Sequence, residues 1–328
     1  MSGSKTTHLT VLLVSGLLCS GCADAAGPGG SELDPEVAWS VGAGAPQPFF
    51  SFDQGTGRFP EGIAVSDGGD VFLGVQPTGE IVRVGPDGSA SVFADLDAGF
   101  GFLLGLALDS RGALYAALPT FVPETHGVWR LAADGSPQHV TVLPVDGLPN
   151  GLAFGPGEVL YVTDTFLGAI WRARGDTGAE MWLQHPLLMG TGDVLGLPVG
   201  ANGIAYFRGA LHVANFDRGT LVRVPVMPDG SAGTPQVFAE DPSLVSADGI
   251  AMDVRGDVYV AVNRQDALVR VGTSGEITLL TDQVDLPASV AFGTSHGTRS
   301  SLYVTNFAFT SGEHVVRIET GRPGASRN

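Results

Sequence analysis

Four oxygen-bearing side chains recur at one position of a repeated phrase, and together they have the composition of a hard-cation site. The phrase opens as Pro60-Glu61-Gly62-Ile63-Ala64-Val65. It returns as Leu104-Gly105-Leu106-Ala107-Leu108, Asn150-Gly151-Leu152-Ala153-Phe154, Asn202-Gly203-Ile204-Ala205-Tyr206, Asp248-Gly249-Ile250-Ala251-Met252 and Ala288-Ser289-Val290-Ala291-Phe292. Read at the head position alone, the copies give Glu61, Leu104, Asn150, Asn202, Asp248 and Ala288. Two carboxylates brought together are costly to bury unless a cation neutralises them. An oxygen-only set without His or Cys selects Ca²⁺, or another hard divalent cation, over zinc or copper. Calcium takes about 6–8 oxygens, so four side chains leave room for water or substrate, and an incompletely wrapped ion acts as a Lewis acid. The competing reading is that each polar head merely caps a turn before its strand. The shared register of all four, and the presence of Glu61, a poor turn former, favour the metal.

The elements that must position these heads follow from what comes after them. Each phrase is succeeded by a turn, a second apolar run such as Val71-Phe72-Leu73 or Leu160-Tyr161-Val162, a loop, and a third run such as Ile81-Val82-Arg83-Val84. A period of roughly forty to fifty residues is that of a four-stranded propeller blade. The sequence therefore predicts an all-β, six-bladed β-propeller over residues 46–320, with the head residues at one mouth of the central channel. The small residues of the phrase allow six strands to converge. The sixth unit ends without a fourth strand, whereas Phe49-Phe50-Ser51-Phe52 precedes the first unit without a blade of its own. That N-terminal strand is expected to complete the last blade and close the ring. Residues 321–328 are expected to form a disordered tail.

Composition limits the partners. The chain has 328 residues and a formal net charge of −17, with 48 Gly and 21 Pro. Nucleic acid is excluded as a partner by the lack of clustered Lys and Arg. The first 22 residues read as an export signal: Lys5, an apolar run from Leu9 to Leu18, then Cys19-Ser20-Gly21-Cys22. Its end resembles a bacterial lipoprotein box, with Cys22 as the lipidated residue. Residues 23–45, rich in Gly, Pro and Ala, read as a flexible tether. The chain is thus expected to be exported, either held at a membrane by the lipid anchor alone or secreted into the periplasm or medium. Beyond Cys22 there is no cysteine, which removes disulfides and thiolate chemistry from the folded domain. No Gly-x-Ser-x-Gly, His-Glu-x-x-His or P-loop motif occurs.

The six units, with Pro-Glu-Gly in the first, Pro-Asn-Gly in the third, Ala-Asn-Gly in the fourth and Ala-Asp-Gly in the fifth, resemble the senescence-marker-protein/gluconolactonase/luciferin-regenerating-enzyme family. The resemblance implies that Glu61, Asn150, Asn202 and Asp248 hold a catalytic Ca²⁺. It also implies hydrolysis of a small-molecule lactone, ester or organophosphate, with Asp248 as general base or nucleophile. The basic residue that sugar-lactone members carry before the third-blade Asn is replaced here by Leu148 and Pro149. Loops between second and third strands should emerge at the same mouth. They make Asp164, Asn215, Asp217, Asn263, Arg264, Asn306 and His314 candidates for the pocket wall, and His126 a candidate proton acceptor or, alternatively, a surface histidine. The alternative function is a non-catalytic, surface-tethered binding module with a structural Ca²⁺.

Overall fold

Each of the first five repeats folds as one antiparallel four-stranded sheet whose successive apolar runs pair as hairpins, and the sixth supplies three strands of its own sheet. The computed structural model describes residues 44–326, except 54, 176, 177, 309–311 and 313. It contains six such sheets, arranged as the blades of a β-propeller. The innermost strands are Pro60–Val65, Leu106–Leu108, Pro149–Gly155, Ala201–Phe207, Ala247–Met252 and Pro287–Phe292. No helix among the described residues is long and apolar enough to cross a membrane. The expected export signal, the expected lipidation at Cys22 and nearly all of the expected tether lie outside the described residues. The described residues begin at Gly44, within the expected tether, where the Gly44 N–H donates to the Glu319 carbonyl at 2.9 Å.

The ring closes between the two ends of the domain. Gln47–Phe50 pairs antiparallel with Val315–Glu319, with Gln47 opposite Arg317 and Pro48 opposite Val316. Phe52 follows into the core, its N–H donating to His314 Nδ1 at 3.3 Å and its ring lying edge-on to that imidazole. The exposed edge that the sixth sheet would otherwise present is thereby covered.

The core lies between blades rather than within them. Leu221, Val260 and Val269, from the fourth and fifth blades, share one buried cluster. Ile63, Leu73 and Tyr303, from the first and sixth, share another. Second strands such as Val258–Val262 are buried along their whole length, which is why they read as continuous apolar runs instead of an alternation.

Of the residues expected to form a disordered tail, 321–326 are described, and they pack against the fifth blade. The Val254 N–H donates to the Pro323 carbonyl at 3.1 Å, and the Ala325 N–H to the Met252 carbonyl at 2.8 Å. Arg322 pairs with Asp257 and lies 3.5 Å from the fully buried Asp253 carboxylate. A buried carboxylate needs a cationic partner. Arg322 supplies it, which fixes the segment against the fifth blade.

Candidate functional site

The head residues are aimed by a bulge repeated around the ring. In the first blade Pro60 pairs with Val75 but Ile63 with Leu73, so the inner strand carries one residue more than its partner between these points. The same offset separates Pro149 from Leu152, Ala201 from Ile204, Ala247 from Ile250 and Pro287 from Val290. A bulge removes its residues from regular pairing and re-aims a side chain. Here it takes the head and the following Gly out of the ladder. The second blade differs: its inner strand starts only at Leu106, after the Leu104-Gly105 pair.

The Gly of the phrase is required by the neighbouring blade. A Cβ on Gly62 would stand 2.1 Å from the Leu104 carbonyl oxygen, and one on Gly203 would stand 2.3 Å from that of Asp248. Each glycine thus lets one head's backbone press against the next. Where a bulge frees an N–H, a threonine takes it up: Gly151 N–H donates to Thr163 Oγ1 at 2.8 Å, and that hydroxyl donates to the Asn202 carbonyl at 2.6 Å. Ser289 N–H and Thr305 repeat the arrangement, with Thr305 Oγ1 donating to the Glu61 carbonyl at 2.8 Å. The heads are consequently held by hydrogen bonds running from blade to blade.

Glu61, Leu104, Asn150, Asn202 and Asp248 line one pocket at this end of the channel, with a volume of about 80 Å³. All four polar heads are buried. Burial pushes the Glu61 carboxyl from its ordinary 4.5 up to about 8. Asp248 is raised well above the carboxylate range by burial and by the neighbouring Glu61 charge, against a hydrogen bond from Asn202. Asn150 Nδ2 donates to Thr165 Oγ1 at 3.3 Å, which leaves its carboxamide oxygen as the acceptor. Among the described residues, no Lys, Arg or His lines the pocket to balance the two carboxyls. Nor is there a cluster of three or more His, Cys, Asp or Glu suited to a metal. The set is two carboxyls and two carboxamides, a hard-oxygen donor set that fits Ca²⁺.

The remaining sequence candidates divide differently from expectation. Asn263 does line the pocket, although its Nδ2 is engaged by the Pro287 carbonyl at 3.1 Å. Arg264 is exposed, and only its backbone N–H contributes, donating at 2.9 Å to Ser246 Oγ in the turn that leads into Asp248. Asp164 is no wall residue: its carboxylate accepts from the Leu148 and Leu167 N–H groups and from Trp171 Nε1, and burial raises its pKa. Asn215 Nδ2 donates to the Leu187 and Met189 carbonyls. Asp217 Oδ2 accepts from the N–H groups of Thr191, Gly192 and Val199. These two residues staple the long connection between the third and fourth blades. Asn306 is buried at the end of its strand and His314 serves the Phe52 closure, so neither faces the pocket.

His126 is neither a surface residue nor a neighbour of the heads. It is fully buried, its Nδ1 accepts from the Phe121 N–H at 3.0 Å, and burial lowers its pKa to about 4. Phe121 in turn packs on Phe102 of the pocket wall, so the imidazole stands one layer behind that wall.

Sequence reasoning missed the wall itself, which is built from Phe102, Leu104, Leu148, Phe166, Phe216 and Phe307. A signal was present: Phe166, Phe216 and Phe307 each follow a second strand ending in Asp164, Asn215 or Asn306. A second cavity, of about 610 Å³, opens further along the same inner strands. Its lining includes Tyr206, Met252 and the C-terminal Pro323 and Ala325, and none of the four polar heads.

Neither a scan against protein-family models nor a search of the curated proteins found a match. Solved structures do match. A gluconolactonase from Xanthomonas campestris is 15% identical with a TM-score of 0.63, over 89% of this chain and 99% of that one. A luciferin-regenerating enzyme is 15% identical with a TM-score of 0.65, over 86% and 98%. The calcium-binding protein regucalcin from Agrobacterium tumefaciens is 18% identical with a TM-score of 0.64, over 85% and 96%. At such identities the likeness is one of fold: this chain shares the six-bladed propeller of these proteins.

Proposed function

We propose that the chain is a metal-dependent hydrolase of lactones or esters, with phosphotriesters as chemically related substrates. The observation that carries this reading is the pair of buried carboxyls, Glu61 and Asp248, set with Asn150 and Asn202 in a largely apolar pocket without a cationic side chain among the described residues. Those four residues would hold a Ca²⁺ ion. When bound, such an ion supplies Lewis acidity to a carbonyl or phosphoryl oxygen. Asn202 holds the Asp248 carboxylate, which either takes a proton from the attacking water or attacks the substrate itself. Thr165 orients the Asn150 carboxamide, and the surrounding Phe and Leu side chains exclude bulk water, strengthening the electrostatics within.

The gluconolactonase and regucalcin neighbours support the reaction class and the ion. Export belongs to the same proposal, with Cys22 lipidated at a membrane or the chain released. The test is hydrolysis of a panel of lactones, aryl esters and phosphotriesters with calcium, after chelation, and by Asp248→Asn. Activity that is lost on chelation, restored by calcium and reduced at least ~10³-fold in the variant is expected for a group at the reacting centre. Activity indifferent to chelation would sink the metal mechanism. A calcium-dependent rise in melting temperature without turnover would favour the binding module.

A further inference from the structure

The pocket's walls carry information about the substrate that the four heads do not. Beyond the heads the polar lining residues are Gln76, Thr165 and Asn263, and the last two are already engaged. The Thr165 hydroxyl donates to the Ala201 carbonyl at 2.7 Å while accepting from Asn150, and Asn263 Nδ2 is held by the Pro287 carbonyl. Phe102, Phe166, Phe216, Phe307, Leu104 and Leu148 form most of the remaining surface.

A hood completes it. The connection between the third and fourth blades lowers Leu195 and Leu197 onto the pocket, and its two limbs are gathered on one carboxylate oxygen. Asp217 Oδ2 accepts from Thr191 at 2.9 Å, Gly192 at 2.7 Å and Val199 at 2.9 Å. Three N–H donors converging on one side-chain oxygen make a strong tie, so these leucines belong to a fixed wall.

Resting on the hydrolase reading, we propose that this pocket selects compact, uncharged, apolar lactones and short-chain esters, and rejects polyhydroxylated lactones of the same ring size. A sugar lactone entering it would exchange water for hydrocarbon around its ring hydroxyls, and an unpaired buried hydroxyl loses its hydrogen bonds without return. An anionic substrate fares no better, since no Lys, Arg or His among the described residues lines the walls. Size is limited as well. The pocket volume of about 80 Å³ is small beside the roughly 300–1,000 Å³ of sites for drug-sized ligands.

The matched pair for the test is δ-valerolactone and glucono-δ-lactone, which share a six-membered ring and differ in ring hydroxyls and hydroxymethyl. With kcat/KM corrected for spontaneous hydrolysis, δ-valerolactone should be preferred by about 100-fold or more, the scale of rejecting a hydroxyl in an apolar pocket. Among aryl esters, kcat/KM should rise about fourfold per methylene from acetate to butyrate and fall at octanoate. Leu197→Asn, on the half-buried hood, should lower the valerolactone preference several-fold.

Binding of two compounds that cannot be hydrolysed, cyclohexanone and 1,5-anhydroglucitol, measured by calorimetry on the calcium-loaded chain, separates this proposal from the one it rests on. Tighter binding of cyclohexanone together with preferred turnover of δ-valerolactone is the expected result. Equal or better turnover of glucono-δ-lactone would overturn the selectivity and leave the hydrolase standing. Cyclohexanone binding with neither lactone hydrolysed would overturn the hydrolase and leave the apolar preference standing.

Discussion

Removing a proposed cation ligand should stabilise this protein at alkaline pH when the cation is absent. The perturbation is Glu61→Gln. Glu61 is buried beside Asp248, and its carboxyl is held at about 8 instead of the ordinary 4.5. Between those two values the native state binds a proton that the unfolded state has released, so stability falls as pH rises. The group's contribution is fully present below 4.5 and lost as pH passes through about 8. At 1.36 kcal/mol per unit, the full cost is roughly 5 kcal/mol. Asp248, also raised, adds to the fall in the same direction.

The assay is urea unfolding near pH 5 and pH 8, in chelator and in calcium. In chelator the wild type should lose several kcal/mol between the two pH values, and Glu61→Gln should lose much less and be the more stable protein at pH 8. In calcium the order should reverse, because the wild type gains binding energy that the variant lacks. A variant that shows the wild-type pH slope in chelator, or that gains as much from calcium, would refute the reasoning.

Three further predictions concern the frame that holds the site. Gly203→Ala would drive a Cβ to 2.3 Å from the Asp248 carbonyl and should cost about 3 kcal/mol in urea unfolding, with weakened calcium binding. Phe52→Ala, at the closure of the ring, should cost about 3–5 kcal/mol; an unchanged unfolding midpoint would mean that the N-terminal strand does not close the sixth blade. Truncation after Thr320 removes the Arg322 partner of buried Asp253 and should cost about 2–3 kcal/mol. An unaltered melting curve for that chain would restore the disordered tail.

The blades were legible because a propeller repeats its strand pattern, and the head–Gly phrase marks the convergence of the inner strands in every unit. The convergence of the four polar heads was legible for the same reason: one register places Glu61, Asn150, Asn202 and Asp248 in one pocket whatever the loops do. Loop side chains follow no such rule. Asp164, Asn215 and Asp217 read as polar residues near a mouth, yet each is used by local backbone N–H or carbonyl groups that no periodicity reveals. Loop backbone left behind a pocket wall must find partners, and a buried Asp or Asn at the end of a second strand is the nearest supply. The apolar wall was overlooked because attention to chemistry favours polar residues, whereas the Phe after each of three second strands shapes the space. His126 illustrates the opposite error, since a loop histidine drawn deep behind Phe121 has a depressed pKa for structural reasons.

Titration of Ca²⁺ into the chelated chain near pH 7, by calorimetry in buffers of different ionisation enthalpy, tests the central claim most directly. The account predicts one site per chain, abolished in Asp248→Asn, with protons released on binding because the Glu61 carboxyl, held at about 8, is protonated beforehand and Asp248 is raised in the same direction. Binding unaffected by Asp248→Asn, or no binding at all, would contradict it.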